Sequence, residues 1–196
     1  MDKMLTQPSL FVYHGSQKQN LTEITPHHGV VYAATDKMIA ALFMMRRGPW
    51  TFLRTIGRYN NREPFFVERY ESAFDDFYDG VSGSIYLLDA NCFNESVYEG
   101  EYLISKETQP VIKEIKIDNV KEFLSQAEKN KEIKIYRYPN RPLCVSQDDS
   151  DLIRRIKSCS SGDLQKRMLQ ELKSLLPLVY QQYKKELDSI QEIQSV

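Results

Sequence analysis

Two apolar stretches limit what this chain can fold into. Residues 84–88 (Ser-Ile-Tyr-Leu-Leu) are almost entirely apolar, which is typical of a strand buried on both faces. Residues 111–117 alternate between apolar and charged side chains, which predicts a strand with one buried face. Similar short runs predict four further strands, at 11–14, 30–33, 101–105 and 133–138. Because few and short helices separate these runs, the sequence predicts an α+β fold, with two small sheets around a cleft.

The helical segments divide the chain unevenly. A mostly apolar helix is predicted from Lys37 to about Arg47, with Thr35 or Asp36 as its N-cap, and a short one from 119 to 128. After Pro142 no strand-like run occurs. We therefore expect a domain at 1–142 and a helical extension at 143–196.

Within the extension, helices are predicted at 149–157 and from 163 to about 190, the second kinked or divided at Pro177. Four side chains share one face and should pack on the core: Leu172, Leu175, Val179 and Tyr183. Docking of a partner protein by these helices is the alternative interpretation.

Composition excludes several classes of protein. The 26 basic and 27 acidic residues nearly balance, giving a formal net charge of -1. No global field therefore points to nucleic acid or to an anionic membrane. The cysteines number only 3, without metal-binding spacing, which favours a reducing compartment. No run resembles a signal peptide or a membrane span, so the sequence predicts a soluble, cytoplasmic protein without membrane contact.

A histidine stands where the first predicted strand ends. His14 is followed by Gly15 and Ser16, and a glycine there lets a ligand approach the backbone. Tyr32 lies in the second predicted strand, directly before a helix, and Glu101 opens a later strand. Each has an ordinary structural explanation: a packed histidine, a core tyrosine and a solvated glutamate. Their order on three separate strands is what favours a shared site.

These motifs resemble the ADP-ribosyltransferase fold, in the His-Tyr-Glu branch of the poly(ADP-ribose) polymerases and diphtheria toxin. The resemblance spans about residues 10–117 and is carried by Tyr13-His14-Gly15-Ser16, Val31-Tyr32-Ala33 and Glu101-Tyr102. It implies a split mixed sheet around a cleft. It also implies NAD as the substrate and ADP-ribosyl transfer to a protein or nucleic-acid acceptor.

The same resemblance assigns roles to single residues. His14 would hydrogen-bond a ribose hydroxyl of NAD, and the Gly15 backbone, with Ser16 beside it, would meet the nicotinamide carboxamide. Tyr32 would stack on the nicotinamide ring. Glu101 would stabilise the positive charge that develops on the ribose as the nicotinamide bond breaks. This chemistry requires no metal, and the pair His27-His28 lacks the acidic or cysteine neighbours of a metal site.

The chain departs from the family pattern in two places. A serine commonly follows the second-motif tyrosine by two helical turns, where this chain has Ala40 and Ala41. The connection between the first two motifs is short, and the helical domain that regulates some polymerases has no counterpart. Mono-ADP-ribosylation, or NAD glycohydrolysis with water as acceptor, therefore fits better than polymer elongation. A non-catalytic binding protein on this fold and an RNA 2′-phosphotransferase-like enzyme are the alternatives.

Residues 50–80 permit more than one interpretation. Arginines 54, 58, 62 and 69 are interleaved with aromatic residues, a pattern that suits phosphate and base contacts but is more common at a core edge. The stretch is a candidate active-site loop, with a short helix possible at 71–78.

Overall fold

The structure, a computed structural model, describes residues 10–58, 63–97 and 102–193. Its strands are β1 (Phe11–Ser16), β2 (Glu23–Ile24), β3 (Val31–Ala34), β4 (Ile56–Arg58), β5 (Pro64–Val67), β6 (Gly83–Asp89), β7 (Glu95–Val97), β8 (Tyr102–Ser105), β9 (Gln109–Pro110), β10 (Lys113–Ile117) and β11 (Lys134–Tyr136). Its α-helices are α1 (Lys37–Leu42), α2 (Ala73–Tyr78), α3 (Val120–Lys129), α4 (Ser150–Lys157), α5 (Gly162–Leu175), α6 (Pro177–Gln182) and α7 (Lys184–Ile193). The predicted α+β class is confirmed.

Three sheets organise these strands. The largest has the order β10-β6-β1-β3-β8-β7, and every neighbouring pair in it is antiparallel. A second sheet has the order β11-β5-β4 and is mixed, because β11 runs parallel to β5. The short strands β2 and β9 pair separately. Five of the six predicted strands lie in the large sheet, and the sixth contributes β11 to the second.

The strand at 84–88 is confirmed as a buried strand within β6. Ile85 is fully buried in the main hydrophobic cluster, whereas Tyr86 and Leu88 are fully buried in a smaller cluster. Since neighbouring side chains of a strand point to opposite faces, β6 is covered on both sides. This explains why its sequence shows no apolar–polar alternation.

Helix α1 lies on the main cluster and begins as predicted. The Asp36 side chain accepts a hydrogen bond from the Met38 backbone N–H at 2.6 Å, which caps the first turn. The helix ends at Leu42, however, and the predicted end near Arg47 is wrong. Gln17 Nε2 donates to the carbonyls of Met44 and Met45, and the Arg46 N–H donates to the carbonyl of Phe77. The backbone groups of residues 44–46 thus bond to distant parts of the chain and do not continue the helical hydrogen bonds.

Three other segments contain short elements that the sequence did not predict. Glu23–Ile24 form strand β2, paired with β9. Glu95–Val97 form β7, which pairs with β8. Residues 49–53 form a 3-10 helix, and β4 and β5 follow it. Such two- to four-residue strands are too short to show a periodicity in the sequence.

The C-terminal helices share the main hydrophobic cluster with the rest of the chain. Leu172 is fully buried in that cluster, and Leu175, Val179 and Tyr183 pack against it. The predicted packing face is therefore confirmed. The predicted division at Pro177 is also confirmed, because α5 ends at Leu175 and α6 begins at the proline.

A buried ionic cluster also fastens the extension to the second sheet. Arg69 follows β5 and contacts Asp149 at 2.8 Å and Asp151 at 2.5 Å, both at the start of α4. Arg141 donates to the same Asp149 at 2.7 Å. No helix in the described residues is both long enough and apolar enough to cross a membrane.

Candidate functional site

His14 lies near the end of β1, and its ring is fixed by the next strand of the sheet. Its Nδ1 atom is 2.7 Å from the carbonyl oxygen of Tyr32. Because a carbonyl oxygen can only accept, Nδ1 must carry the hydrogen in this contact. In the neutral ring, Nε2 is then an acceptor, and the described residues offer it no hydrogen-bond partner. His14 can therefore accept a hydrogen bond from a ligand hydroxyl.

The surroundings of His14 keep it neutral. Burial lowers the pKa of His14, and the nearby positive charge of Arg47 lowers it further. The hydrogen bond to the Tyr32 carbonyl acts in the opposite direction but does not prevail. At neutral pH the ring is an uncharged acceptor, which suits a hydroxyl ligand better than an anionic one.

Strands β1 and β3 diverge next to this histidine. They share the register pair Tyr13–Ala34, whereas β1 pairs with β6 over its whole length and β3 pairs with β8 throughout. Past Tyr13, the His14 ring spans the space between the strands through its bond to Tyr32. A ligand can reach backbone groups at such a divergence because they are not occupied by a neighbouring strand.

Tyr32 is a surface residue and not part of the core. Its side chain is 53% exposed, while its strand neighbours Val31 and Ala33 are buried. In the register of β3 with β8, Ala34 lies opposite Tyr102, so Tyr32 and Tyr102 project from the same face. His14 lies opposite Tyr86 in the sheet, so strand alternation assigns its side chain to the other face, and its ring contacts Tyr32 through the backbone carbonyl. The half-exposed Tyr32 ring offers a flat apolar surface to a planar ligand.

Two further aromatic residues extend this face, and the sequence did not single them out. Phe43, one residue after α1, contacts Tyr102 edge to face with ring centroids 5.4 Å apart. The Arg54 guanidinium lies 4.9 Å from the Phe43 ring centroid. The sequence could have pointed to Tyr102, because this residue directly follows Glu101 in the third motif. It could not have pointed to Phe43, because the contact of Phe43 with Tyr102 depends on where α1 ends.

Gly15 serves the packing of α1. A Cβ atom at this position would lie 1.9 Å from the Ala40 carbonyl oxygen and 3.1 Å from the Met44 side chain. The absence of a side chain therefore lets helix and strand approach closely. Ser16 accepts a hydrogen bond on Oγ from the Lys18 N–H at 3.1 Å and so stabilises the following turn.

A polar network holds the loop that follows the His-Gly-Ser motif. Glu114 Oε1, on β10, accepts hydrogen bonds from Ser84 at 2.7 Å, the Asn20 N–H at 2.8 Å and Tyr86 at 3.1 Å. These hydrogen bonds, led by that from Ser84, lower the pKa of Glu114. The single hydroxyl hydrogen of Tyr86 is shared between Glu114 and the Lys18 carbonyl oxygen, which lies 2.8 Å from the hydroxyl. Sequence reasoning missed this network because its members are far apart in the chain.

Glu101 lies outside the described residues. The residue that follows it, Tyr102, opens β8 and pairs with Ala34 of β3. The structure thus brings His14, Gly15 and Tyr32 together, and the position of the third-motif carboxylate stays a prediction.

The described part of residues 50–80 consists mainly of a 3-10 helix, β4, β5 and α2. Phe65, Phe66 and Tyr70 are buried, and Arg69 is 1% exposed in the ionic cluster. Arg58 pairs with Asp36, the cap of α1. Arg62 lies outside the described residues. The interleaved arginines and aromatics of the described part therefore serve the core and its edge, and a nucleic-acid surface built on them is not supported.

The other surface features do not include His14 or Tyr32 among their residues. Two shallow depressions occur in the described chain, one along residues 115–126 and one along 181–186. The rings of His27 and His28 lie 4.1 Å apart. Within the described ranges, no three histidine, cysteine or acidic side chains are grouped as a metal site.

Comparisons with known proteins do not identify these features. No protein-family model, no curated protein and no solved structure matches the chain with significance. The fold and the site define an α+β protein that has a neutral histidine and an exposed tyrosine where strands β1 and β3 diverge.

Proposed function

We propose that this protein transfers ADP-ribose from NAD, as a mono-ADP-ribosyltransferase or, with water as acceptor, as an NAD glycohydrolase. One observation carries the proposal: the neutral His14 ring is held by the carbonyl of Tyr32, a residue with an exposed side chain, where β1 and β3 diverge. This is the pair of side chains for which the motif resemblance gives an NAD-binding role.

The ground-state contacts follow from the chemistry of the two residues. Nε2 of His14 accepts a hydrogen bond from a ribose hydroxyl, because Nδ1 is already engaged with Tyr32. The exposed ring of Tyr32 stacks on the planar nicotinamide and keeps water from one side of it. Backbone groups of Gly15, in the part of β1 past its last pair with β3, meet the carboxamide in this proposal.

Glu101 supplies the charge that the reaction needs. Breaking the bond between nicotinamide and ribose leaves positive charge on the sugar, and a fixed carboxylate lowers the energy of that transition state. The same group orients the acceptor, which is either water or a nucleophile on a protein or nucleic acid. This role comes from the motif resemblance and depends on the untested position of Glu101.

The proposed fold is the split mixed sheet of ADP-ribosyltransferases around a cleft. The antiparallel six-stranded sheet, the separate mixed sheet and the divergence of β1 from β3 support it. The family serine is replaced by Ala40, which is buried and whose carbonyl lies against Gly15. In this protein the carboxamide is therefore held by backbone groups and by aromatic contacts.

The test is release of nicotinamide from NAD labelled in that ring. We expect the wild-type protein to release it, and Glu101→Gln to lower turnover by about 100-fold while NAD affinity stays within a few-fold. Glu107→Gln, an exposed carboxylate of the turn after β8, is the matched control and should act like wild type. Wild-type protein that binds NAD without releasing nicotinamide would support the non-catalytic alternative, and protein that does neither would refute the proposal.

A further inference from the structure

Strand β10 forms one edge of the six-stranded sheet. It pairs with β6 on its inner side, and none of the other described strands pairs with its outer side. Its five residues therefore offer a row of backbone N–H and carbonyl groups to solvent. The strand at the opposite edge, β7, has only three residues. An edge as long as that of β10 can accept another strand, and its side chains decide which strand fits.

The side chains of β10 alternate between the two faces of the sheet. Ile117 is buried in the main hydrophobic cluster and Ile115 packs against that cluster, so both lie on this face. Glu114 and Lys116 project from the opposite face. Charged side chains on an edge strand usually hinder pairing. In β10, however, the two charges have opposite signs and are placed symmetrically about Ile115.

This symmetry makes β10 complementary to itself. If β10 pairs antiparallel with β10 of a second copy, about a twofold axis through Ile115, each Glu114 lies opposite Lys116 of the other copy. A slip of two residues would set Glu114 against Glu114 in one direction and Lys116 against Lys116 in the other. A slip of one residue would bring side chains of the core face against those of the other face. The register centred on Ile115 is therefore favoured over its neighbours.

Both charged groups have the capacity for this pairing. Glu114 receives its hydrogen bonds from Ser84, Tyr86 and the Asn20 N–H on Oε1, and Oε2 accepts none from the described residues. Lys116 donates to Asn20 Oδ1 at 2.6 Å, and its ammonium group has two further N–H donors. Residues directly opposite in an antiparallel pair have Cβ atoms about 5 Å apart, a distance that a glutamate and a lysine can bridge.

The core face of the sheet supplies apolar contacts at the same edge. A shallow depression there is lined by Ile115 and Ile117 of β10 and by Phe123 of α3. Ile115 and Phe123 are only partly buried against the main cluster. In the register centred on Ile115, the isoleucine of a second copy lies next to this depression. Association would therefore remove from water apolar surface that a single copy leaves accessible.

We propose that two copies of this protein associate through β10, in the register centred on Ile115, so that their large sheets become continuous. A twofold interface of this kind is self-complementary and makes each contact twice. The inference does not depend on the proposed function, because it takes nothing from His14, Tyr32 or NAD.

Sedimentation equilibrium over a range of protein concentrations tests the inference. We expect wild type to form dimers. Lys116→Glu sets two carboxylates opposite each other at both ends of the pairing, so it should raise the dimer dissociation constant by about 10- to 100-fold. Lys113→Glu is the matched control, because it makes the same charge change on the same strand but projects from the other face, opposite Ile117. Its dissociation constant should stay within about threefold of wild type.

A mixture of two variants tests the register itself. Glu114→Lys and Lys116→Glu should each associate weakly alone, whereas a mixed pair joins opposite charges at both 114–116 contacts and should recover the affinity of wild type. Circular dichroism must first show that Glu114→Lys is folded, because it loses the hydrogen bonds from Ser84 and Asn20. If it is not folded, amide exchange replaces the mixture: exchange of the β10 amides should slow with rising concentration in wild type and not in Lys116→Glu.

Three results would overturn the inference. Wild type that is monomeric at every concentration has no such interface. A dimer that Lys116→Glu leaves intact forms through another surface. Equal weakening by Lys113→Glu and Lys116→Glu, or a mixture that recovers no affinity, would show that net charge and not this register governs association.

Discussion

The Cβ position of Gly15 lies 1.9 Å from the carbonyl oxygen of Ala40. Any side chain on this residue would therefore push α1 away from β1, and with it the segment that carries Phe43 and Arg47. Helix α1 and the His-Gly-Ser strand can keep their spacing only with glycine at this position.

Gly15→Ala should lower the free energy of unfolding by about 1–3 kcal/mol, as overpacked core positions do. The obstacle is backbone and cannot rotate away. Urea unfolding measures the change, with Ser16→Ala as the neighbouring control, which should cost less. Equal stability of Gly15→Ala and wild type would show that helix and strand do not approach this closely.

The stability of the protein should depend on the protonation of His14. Its pKa in the folded protein lies below the ordinary histidine value of 6.5, so between the two pKa values the unfolded chain binds more protons. The free energy of unfolding therefore rises with pH through this window, and the contribution of His14 is lost as the pH falls below 6.5.

Substitution of His14 tests this dependence. His14→Asn keeps a donor for the Tyr32 carbonyl but cannot titrate, so its unfolding free energy should change less with pH in this range. In NMR titrations Arg47→Ala should raise the pKa of His14, because a nearby positive charge is removed. An unchanged pKa would place Arg47 farther from His14 than we infer.

Tyr32→Ala should weaken NAD binding by about 10- to 100-fold, the usual effect of removing one stacking surface. The free energy of unfolding should hardly change, because the side chain is 53% exposed. Tyr32→Phe should retain the affinity. The control is Ile112→Ala, which removes an equally exposed apolar side chain directly before β10. Equal NAD affinity of Tyr32→Ala and Ile112→Ala would exclude a stacking role.

Arg69→Met should destabilise the protein by about 3 kcal/mol, because it removes the buried guanidinium that joins Asp149 and Asp151 and leaves each with one remaining ion pair, to Arg141 and Arg155. Lys106→Met breaks the exposed pair with Glu95, in which the two side chains are 70% and 53% exposed. That control should change the unfolding free energy by at most about 1 kcal/mol. Similar effects for both variants would argue against a buried ionic cluster.

The C-terminal helices offer a matched pair of leucines. Leu172 is 0% exposed in the main cluster, whereas Leu178 is 83% exposed. Leu172→Ala should reduce the unfolding free energy by about 2–5 kcal/mol and Leu178→Ala by less than about 0.5 kcal/mol. A single unfolding transition that moves with Leu172→Ala would show that the extension unfolds together with the sheets. Independent loss of the helices would favour the boundary at residue 142.

Much of the architecture was predictable, because the longer strands and helices follow from patterns in the local sequence. The apolar run at 84–88, the alternation at 111–117 and the proline at 177 each reflect a physical requirement that acts within a few residues. The N-cap at Asp36 is of the same kind. The candidate site was partly predictable for a similar reason, since its histidine and tyrosine lie in short motifs at the ends of strands.

The rest depended on contacts between distant parts of the chain. The end of α1 is set by Gln17 and Phe77, and the burial of Arg69 by aspartates some 80 residues away. The exposure of Tyr32 and the divergence of β1 from β3 are decided in the same way. The sequence by itself determined the longer strands, the N-cap of α1 at Asp36 and the helix division at Pro177. Only the tertiary structure decided which side chains face solvent, because burial and partnership depend on what packs against each element.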